Sequence, residues 1–296
     1  MIKKFFVLVI LMLALVLECY SQAGSTGWWI MRRPQSTKPR EVTAVASVRG
    51  DLSGVFYNPS ILGTVTQKEV FLITETGLGN DNFGGLLYGM PLGKRGGFSA
   101  GIIYYDAGRT TLYWMESGVE QERTVTAQKD TMIIVSYGKE LSRFDLGASI
   151  KYATSEIAET KSAGAFAIDL GFLMYPTDKL SISVAGQNLG SGTKFIEQAD
   201  ELPTSLWLGG SYTFSKNFNS GVDLAYILKE ERMIPSIGLE YLVGSMSLNV
   251  GYRFNVEEGA LHIGIGMTTK SVDFGFAYLP STSLNPTYRL SLGWRF

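Results

Sequence analysis

His262 is the single histidine of the chain and stands in "ALHIGIGM". Hydrolytic chemistry at a histidine needs a nucleophile and an orienting group held in register with it. On an extended stretch His262 shares a face with Gly264 and Gly266, opposite Leu261, Ile263 and Ile265, so its own strand offers no nucleophile. It reads as a hydrogen-bonding residue, and no catalytic set is assigned. Carboxylates gather in "MESGVEQERTV", at Glu116, Glu120 and Glu122, and Asp81 stands in "GNDN". Neither stretch has the ligand spacing of a defined calcium loop, so both read as solvated and no metal site is assigned. "GMPLGKRG" is one residue short of a phosphate loop and places Arg95 where Ser or Thr is required. No cofactor is implied.

The remaining charges of interest are Asp145, Lys151, Asp169, Asp223, Glu240, Arg253, Arg289 and Arg295. Each falls in a segment whose residues alternate. In "FDLGASIKY", Phe144, Leu146, Ala148, Ile150 and Tyr152 oppose Asp145, Gly147, Ser149 and Lys151; "VDFGFAY" and "LNVGYRF" repeat the pattern. One face is apolar, and the other mixes glycine, alanine and isolated charges of both signs. Such a face suits the wet interior of a barrel, where the charges pair across strands around a plug or water. Gating of a small polar solute is the other reading of the same charges.

About fourteen such segments run from residue 69 to 296, an even number within the range of outer-membrane barrels. They lie near 69–78, 83–92, 97–107, 130–140, 144–155, 164–175, 179–188, 204–214, 218–228, 234–243, 246–254, 260–268, 272–279 and 287–296. Every second connection is tight, and the long stretches 108–129, 189–203 and 280–286 all fall between the others. Brief turns at one end and long loops at the other are the mark of a transmembrane barrel. The predicted fold is therefore all-β: an up-and-down antiparallel barrel of about 14 strands, with an N-terminal non-strand plug or periplasmic segment. The ending "YRLSLGWRF" sets Tyr288, Leu290, Leu292, Trp294 and Phe296 on one face, as expected of a closing strand that pairs with the first. Its terminal aromatic resembles the signal read by the barrel assembly machinery.

The opening residues place the chain. Lys3 and Lys4 precede an apolar run from Phe5 to Leu17, and the small residues Ser21 and Ala23 follow. The run is shorter than the roughly twenty residues of a spanning helix, so 1–23 reads as a cleaved export signal. Cys19 is the only cysteine, which excludes an internal disulfide, and Glu18 sits where a lipoprotein site needs a small residue. A net charge of -1 argues against a nucleic-acid partner. The mean hydropathy of +0.10, with 34 Gly, 16 Phe, 15 Tyr and 5 Trp, fits strands. Residues 24–67 do not alternate and form the expected plug or periplasmic segment, leaving 68–296 for the barrel in the outer membrane. Asn58-Pro59 within it favours a turn.

In that segment "SVRGDLSGVFYNPSILG" resembles the Gly-Asp then Asn-Pro-Ala signature of PorV/PorQ-type outer membrane proteins, relatives of the FadL-like barrels, with Ser60 in place of the usual alanine. Further stretches match in the same order, among them "AIDLGFLMYP", "VAGQNLGSGTKF" and "ELPTSLWLGGSYTF". The resemblance implies a fourteen-stranded FadL-like barrel that is not an enzyme. Gly50, Asp51, Asn58 and Pro59 would form the plug motif. It also implies one of two roles. One is protein secretion or surface attachment of type IX kind, with secretion-system proteins or exported cargo as partners beside the outer membrane lipid. The other is a FadL-like channel for hydrophobic small molecules.

Overall fold

The computed structural model describes residues 28–32, 36–38, 49–77, 81–194, 199–256, 260–281 and 285–296. The expected export signal, 1–23, lies outside them. In chain order the strands are β1 (Glu69–Gly77), β2 (Asp81–Pro91), β3 (Gly97–Asp106), β4 (Arg109–Glu116), β5 (Val119–Thr126), β6 (Gln128–Leu141), β7 (Phe144–Ile157), β8 (Lys161–Thr177), β9 (Leu180–Leu189), β10 (Thr193–Lys194), β11 (Ala199–Asp200), β12 (Ser205–Ser215), β13 (Phe218–Ile227), β14 (Arg232–Val243), β15 (Met246–Arg253), β16 (Leu261–Thr268), β17 (Val272–Leu279) and β18 (Thr287–Arg295). The two hairpins β4–β5 and β10–β11 stand apart. The other fourteen strands form a closed antiparallel barrel, each paired with its barrel neighbours in sequence and β1 paired with β18.

The alternation dictates this closure. Leu72, Leu86, Ile102, Ile133, Ile150, Leu170, Leu208, Leu248, Ile265 and Leu290 all point outward and are exposed. An apolar skin of this extent cannot be covered by a second sheet without ending the cylinder, and a cylinder leaves no unpaired edge. Strand ends fall within about three residues of those expected from sequence. The connections 92–96, 142–143, 178–179, 216–217, 244–245 and 269–271 are short and share one end with the carboxyl terminus, hereafter the terminal end.

The opposite, loop end differs from expectation in two stretches, for 189–203 holds the short hairpin β10–β11. The stretch 108–129 holds a regular hairpin, β4–β5, that extends β3 and β6 beyond the rim. At the seam, Glu69 pairs with Arg295 and Glu75 with Arg289, and the Phe296 amide donates to the Lys68 carbonyl at 3.0 Å. Tyr288, Leu290, Leu292, Trp294 and Phe296 face outward and are exposed.

Candidate functional site

The described residues before β1 lie against the inner wall. Near the terminal end, Asp51 opens a 3-10 turn at Leu52–Phe56, its carboxylate accepting from the Ser53 amide at 3.1 Å and the Ser53 hydroxyl at 2.6 Å. Asn58 opens a second, Pro59–Thr64, accepting in the same way from the Ser60 amide (3.1 Å) and hydroxyl (2.6 Å). Pro59 takes the first helical position, where no N–H is needed, and Asn58 is extended at φ -152° and ψ 106° as a following proline requires. Gly50, at φ +72°, adopts a left-handed backbone, and its amide donates to the Thr64 hydroxyl at 2.9 Å.

This double turn is seated in a groove built of glycine. Gly97, Gly138, Gly147 and Gly171 are direct neighbours across β3, β6, β7 and β8. A Cβ at Gly138 would stand 2.6 Å from the Pro59 carbonyl oxygen, and one at Gly147 would stand 2.5 Å from the same atom. Backbone therefore rests directly on backbone, a distance only glycine permits. Asn58 Nδ2 donates to the Phe172 carbonyl at 3.2 Å, and Gln187 Nε2 donates to the carbonyls of Phe56 (3.2 Å) and Tyr57 (2.6 Å).

Charged and polar groups of the wall hold the segment higher up. Arg289 forms a buried ion pair with Glu75, directly opposite it, and also donates to the Ser36 carbonyl at 2.6 Å. His262 Nε2 donates to the Thr37 carbonyl at 2.9 Å, and the Thr37 and Ser291 hydroxyls lie 2.7 Å apart. Lys38 reaches Asp51 at 3.1 Å. Burial alone would raise the Asp51 carboxyl; the Lys38 ammonium and the Ser53 donors outweigh it and hold the group below its ordinary range. The same pairing raises the Lys38 ammonium above its own.

At the loop end, Trp28 and the turn Trp29–Met31 bury Ile30 and Met31, and Arg32 pairs with Glu230. Here β9 bulges against β8, turning both Gln187 and Asn188 inward. The Asn188 amide freed by the bulge donates to Asp169 at 2.8 Å, and Lys151 bridges Asp169 (2.6 Å) and the Asn188 side chain (3.0 Å). Asn188 Nδ2 turns to the carbonyls of Met31 (3.4 Å) and Pro203 (3.2 Å). Of the other charges read from sequence, Asp223 accepts from Ser236 at 3.0 Å and Glu240 from Asn219 at 2.9 Å. Arg295 joins Glu69 and Asp273 near the seam. Arg253 is half-buried, and Asp145 is buried beside Glu140.

One feature of the wall escaped the sequence reading. Phe71 and Ile73 on β1, Phe83 and Leu87 on β2, Ile103 and Tyr105 on β3, and Met132 and Ile134 on β6 point inward and are buried. Glu69 and Glu75, Asp81, Ser99, Asp130 and Ser136 also point inward on these strands, so the greasy arc is a band midway along them, while β13–β18 present Asp, Glu, Ser, Asn, His and Arg. Leu52, Val55, Phe56, Ile61 and Leu62 join that arc in one apolar cluster, with the Phe56 and Phe71 rings 6.5 Å apart. Away from the arc, at the terminal ends of β8, β9, β12 and β13, opens a cavity of about 310 Å³ lined by Arg49, Tyr175, Lys179, Ser181, Ser211 and Asn219, with the Arg49 guanidinium 3.8 Å over the Tyr175 ring.

The barrel shares its fold with a hydrocarbon transporter. The crystal structure of the Pseudomonas putida toluene transporter TodX superposes with a TM-score of 0.63 at 13% identity, covering 88% of this chain and 97% of that one. A Pseudomonas aeruginosa FadL homologue gives a TM-score of 0.55 at 12% identity, covering 86% and 97%. No protein-family model matches the sequence, and no curated protein matches it.

Proposed function

We propose that this chain is a non-enzymatic outer-membrane channel of FadL-like kind that passes small hydrophobic molecules, with the N-terminal segment as the plug across the route. The observation that carries this reading is the apolar arc of β1–β3 and β6. A pore for hydrated solutes needs a polar wall throughout, whereas the apolar band midway along these strands gives an oily solute a partner inside the barrel. The fold held in common with a toluene transporter supports the same substrate class. The leader 1–23 would export the chain, the outward row ending at Phe296 would be read by the assembly machinery, and the outer face would meet lipid. The expected PorV/PorQ assignment and type IX secretion role have no support from the comparisons and are not carried into the proposal.

The test is uptake in cells whose outer membrane lacks other hydrophobic-solute channels. Cells producing this chain take up labelled toluene faster than cells with an empty vector, and Ile103→Glu or Ile134→Glu on the arc removes the gain while the heat-modifiable folded band persists. Uptake equal to the empty vector with a folded barrel in the outer-membrane fraction refutes the reading.

A further inference from the structure

The hairpin β4–β5 belongs neither to the wall nor to the interior. Among the described residues its strands form a ladder only with one another, in register from Arg109↔Thr126 to Glu116↔Val119, so each carries an unpaired outer edge except at the base of β5, where the Thr126 amide is taken by Glu159. At the strand rise it reaches about 25 Å beyond the rim. The base is fastened: Val125 is fully buried, the Thr126 amide donates to Glu159 at 3.0 Å, and Arg123 pairs with Glu159 at 3.3 Å. The tip is not covered. Tyr113 is 64% exposed and Met115 67%, with Leu112, Trp114 and Val119 exposed beside them. Large apolar side chains on an arm already in water stabilise nothing in the folded barrel, and their gathering marks a contact surface.

Charge selects the occupant. From 112 to 122 the tip carries Glu116, Glu120 and Glu122 and no basic residue. Glu122 stands directly across from Tyr113 and Glu120 across from Met115, so one face is a checkerboard of two apolar groups and two carboxylates. An anionic lipid or lipopolysaccharide surface is repelled by that face, and a second copy would bring carboxylate against carboxylate. A polypeptide that adds a strand to the β5 edge would place alternate side chains beside Glu120 and Glu122, and basic ones there would be paired. We infer that the β4–β5 hairpin is a docking arm for an extended polypeptide segment in which Lys or Arg alternates with apolar residues.

The inference is independent of what the interior transports. Its test uses the full barrel in neutral-lipid nanodiscs, an eight-residue peptide of alternating Lys and Val, and the matching Glu-Val peptide as control. The Lys-Val peptide binds, the Glu-Val peptide does not, and the double variants Glu120→Gln/Glu122→Gln and Tyr113→Ser/Met115→Ser each weaken binding about tenfold or more, with the heat-modifiable band unchanged. Four outcomes overturn the proposal: no Lys-Val binding, equal binding of the two peptides, affinity untouched by both double variants, or association with phosphatidylglycerol vesicles in place of the peptide.

Discussion

Placing methyl groups in the glycine groove should lift the double turn off the wall without opening the barrel. In Gly138→Ala/Gly147→Ala, the new Cβ at 138 meets the Pro59 carbonyl oxygen at 2.6 Å and the Leu62 Cβ at 2.8 Å; that at 147 meets the same oxygen at 2.5 Å. The Cβ at 147 would also stand 2.3 Å from the Pro59 carbonyl carbon and the Ser60 nitrogen, so against an ordinary contact of 3.4 Å the turn must retreat by about 1.1 Å. Overpacking of this kind costs about 1–3 kcal/mol, and the bond from Asn58 to the Phe172 carbonyl, worth about 1 kcal/mol, is strained with it. A loss of about 2 kcal/mol raises the undocked population roughly thirtyfold. Hydrogen exchange followed by mass spectrometry reads this directly. Amides of 50–64, including those of Gly50 and Ser60 that donate to side chains, should exchange about thirtyfold faster, while the β6–β7 ladder amides keep their protection. Gly84→Ala is the control, since its Cβ finds nothing nearer than 3.8 Å. Unchanged exchange at 50–64 in the double variant, or an equal change in Gly84→Ala, refutes the reasoning.

Arg289→Met removes the guanidinium paired with buried Glu75 and should lower stability by about 3–5 kcal/mol, read as the urea midpoint of the heat-modifiable band; adding Glu75→Leu should recover most of it. The Lys38–Asp51 pair predicts a two-sided pH profile for exchange at 49–56. Asp51 is depressed, so its contribution is present above its ordinary pKa of 3.8 and is lost as pH falls through the folded value. Lys38 is raised, so its contribution is present below 10.5 and lost as pH climbs past the folded value. Protection, taken relative to each amide's intrinsic rate at the same pH, should therefore be greatest between those limits, and Lys38→Met should flatten the alkaline arm. Leu290→Arg puts a charge on the outward face and, in a bilayer, should cost about 2–4 kcal/mol at mid-depth, measured by equilibrium folding into vesicles.

The strands were legible because most of them separate an apolar outer row from a small or polar inner one, as "FDLGASIKY" does. Where both rows are apolar, as in "TMIIVSY" on β6, the segment could still be found but its inward Met132 and Ile134 could not be told from outward Ile133 and Val135. The glycine groove was invisible for a different reason. Each glycine is plain in the sequence, yet their alignment depends on pairings that link Gly97 on β3 to Gly171 on β8 through two other strands. The β4–β5 hairpin was missed because Leu112, Tyr113, Trp114 and Met115 run without alternation. Its signal lay in Ser117-Gly118, both at positive φ in a two-residue turn that suits tight hairpins. Asn58-Pro59 announced its turn, and nothing local announced where that turn would rest.

The seam between β1 and β18 has a consequence for how the molecule is made. Arg295 meets Glu69 across a separation of 226 residues, so the ladder that completes the cylinder unites the first and last strands of the barrel. Loop closure of that length carries an entropic cost no local hairpin shares, and it cannot begin before the final residues arrive. Until then β1 offers a bare border to any other extended chain. Assembly is thus a race between self-completion and cross-pairing with a sibling molecule, decided by whatever shelters that border during the wait.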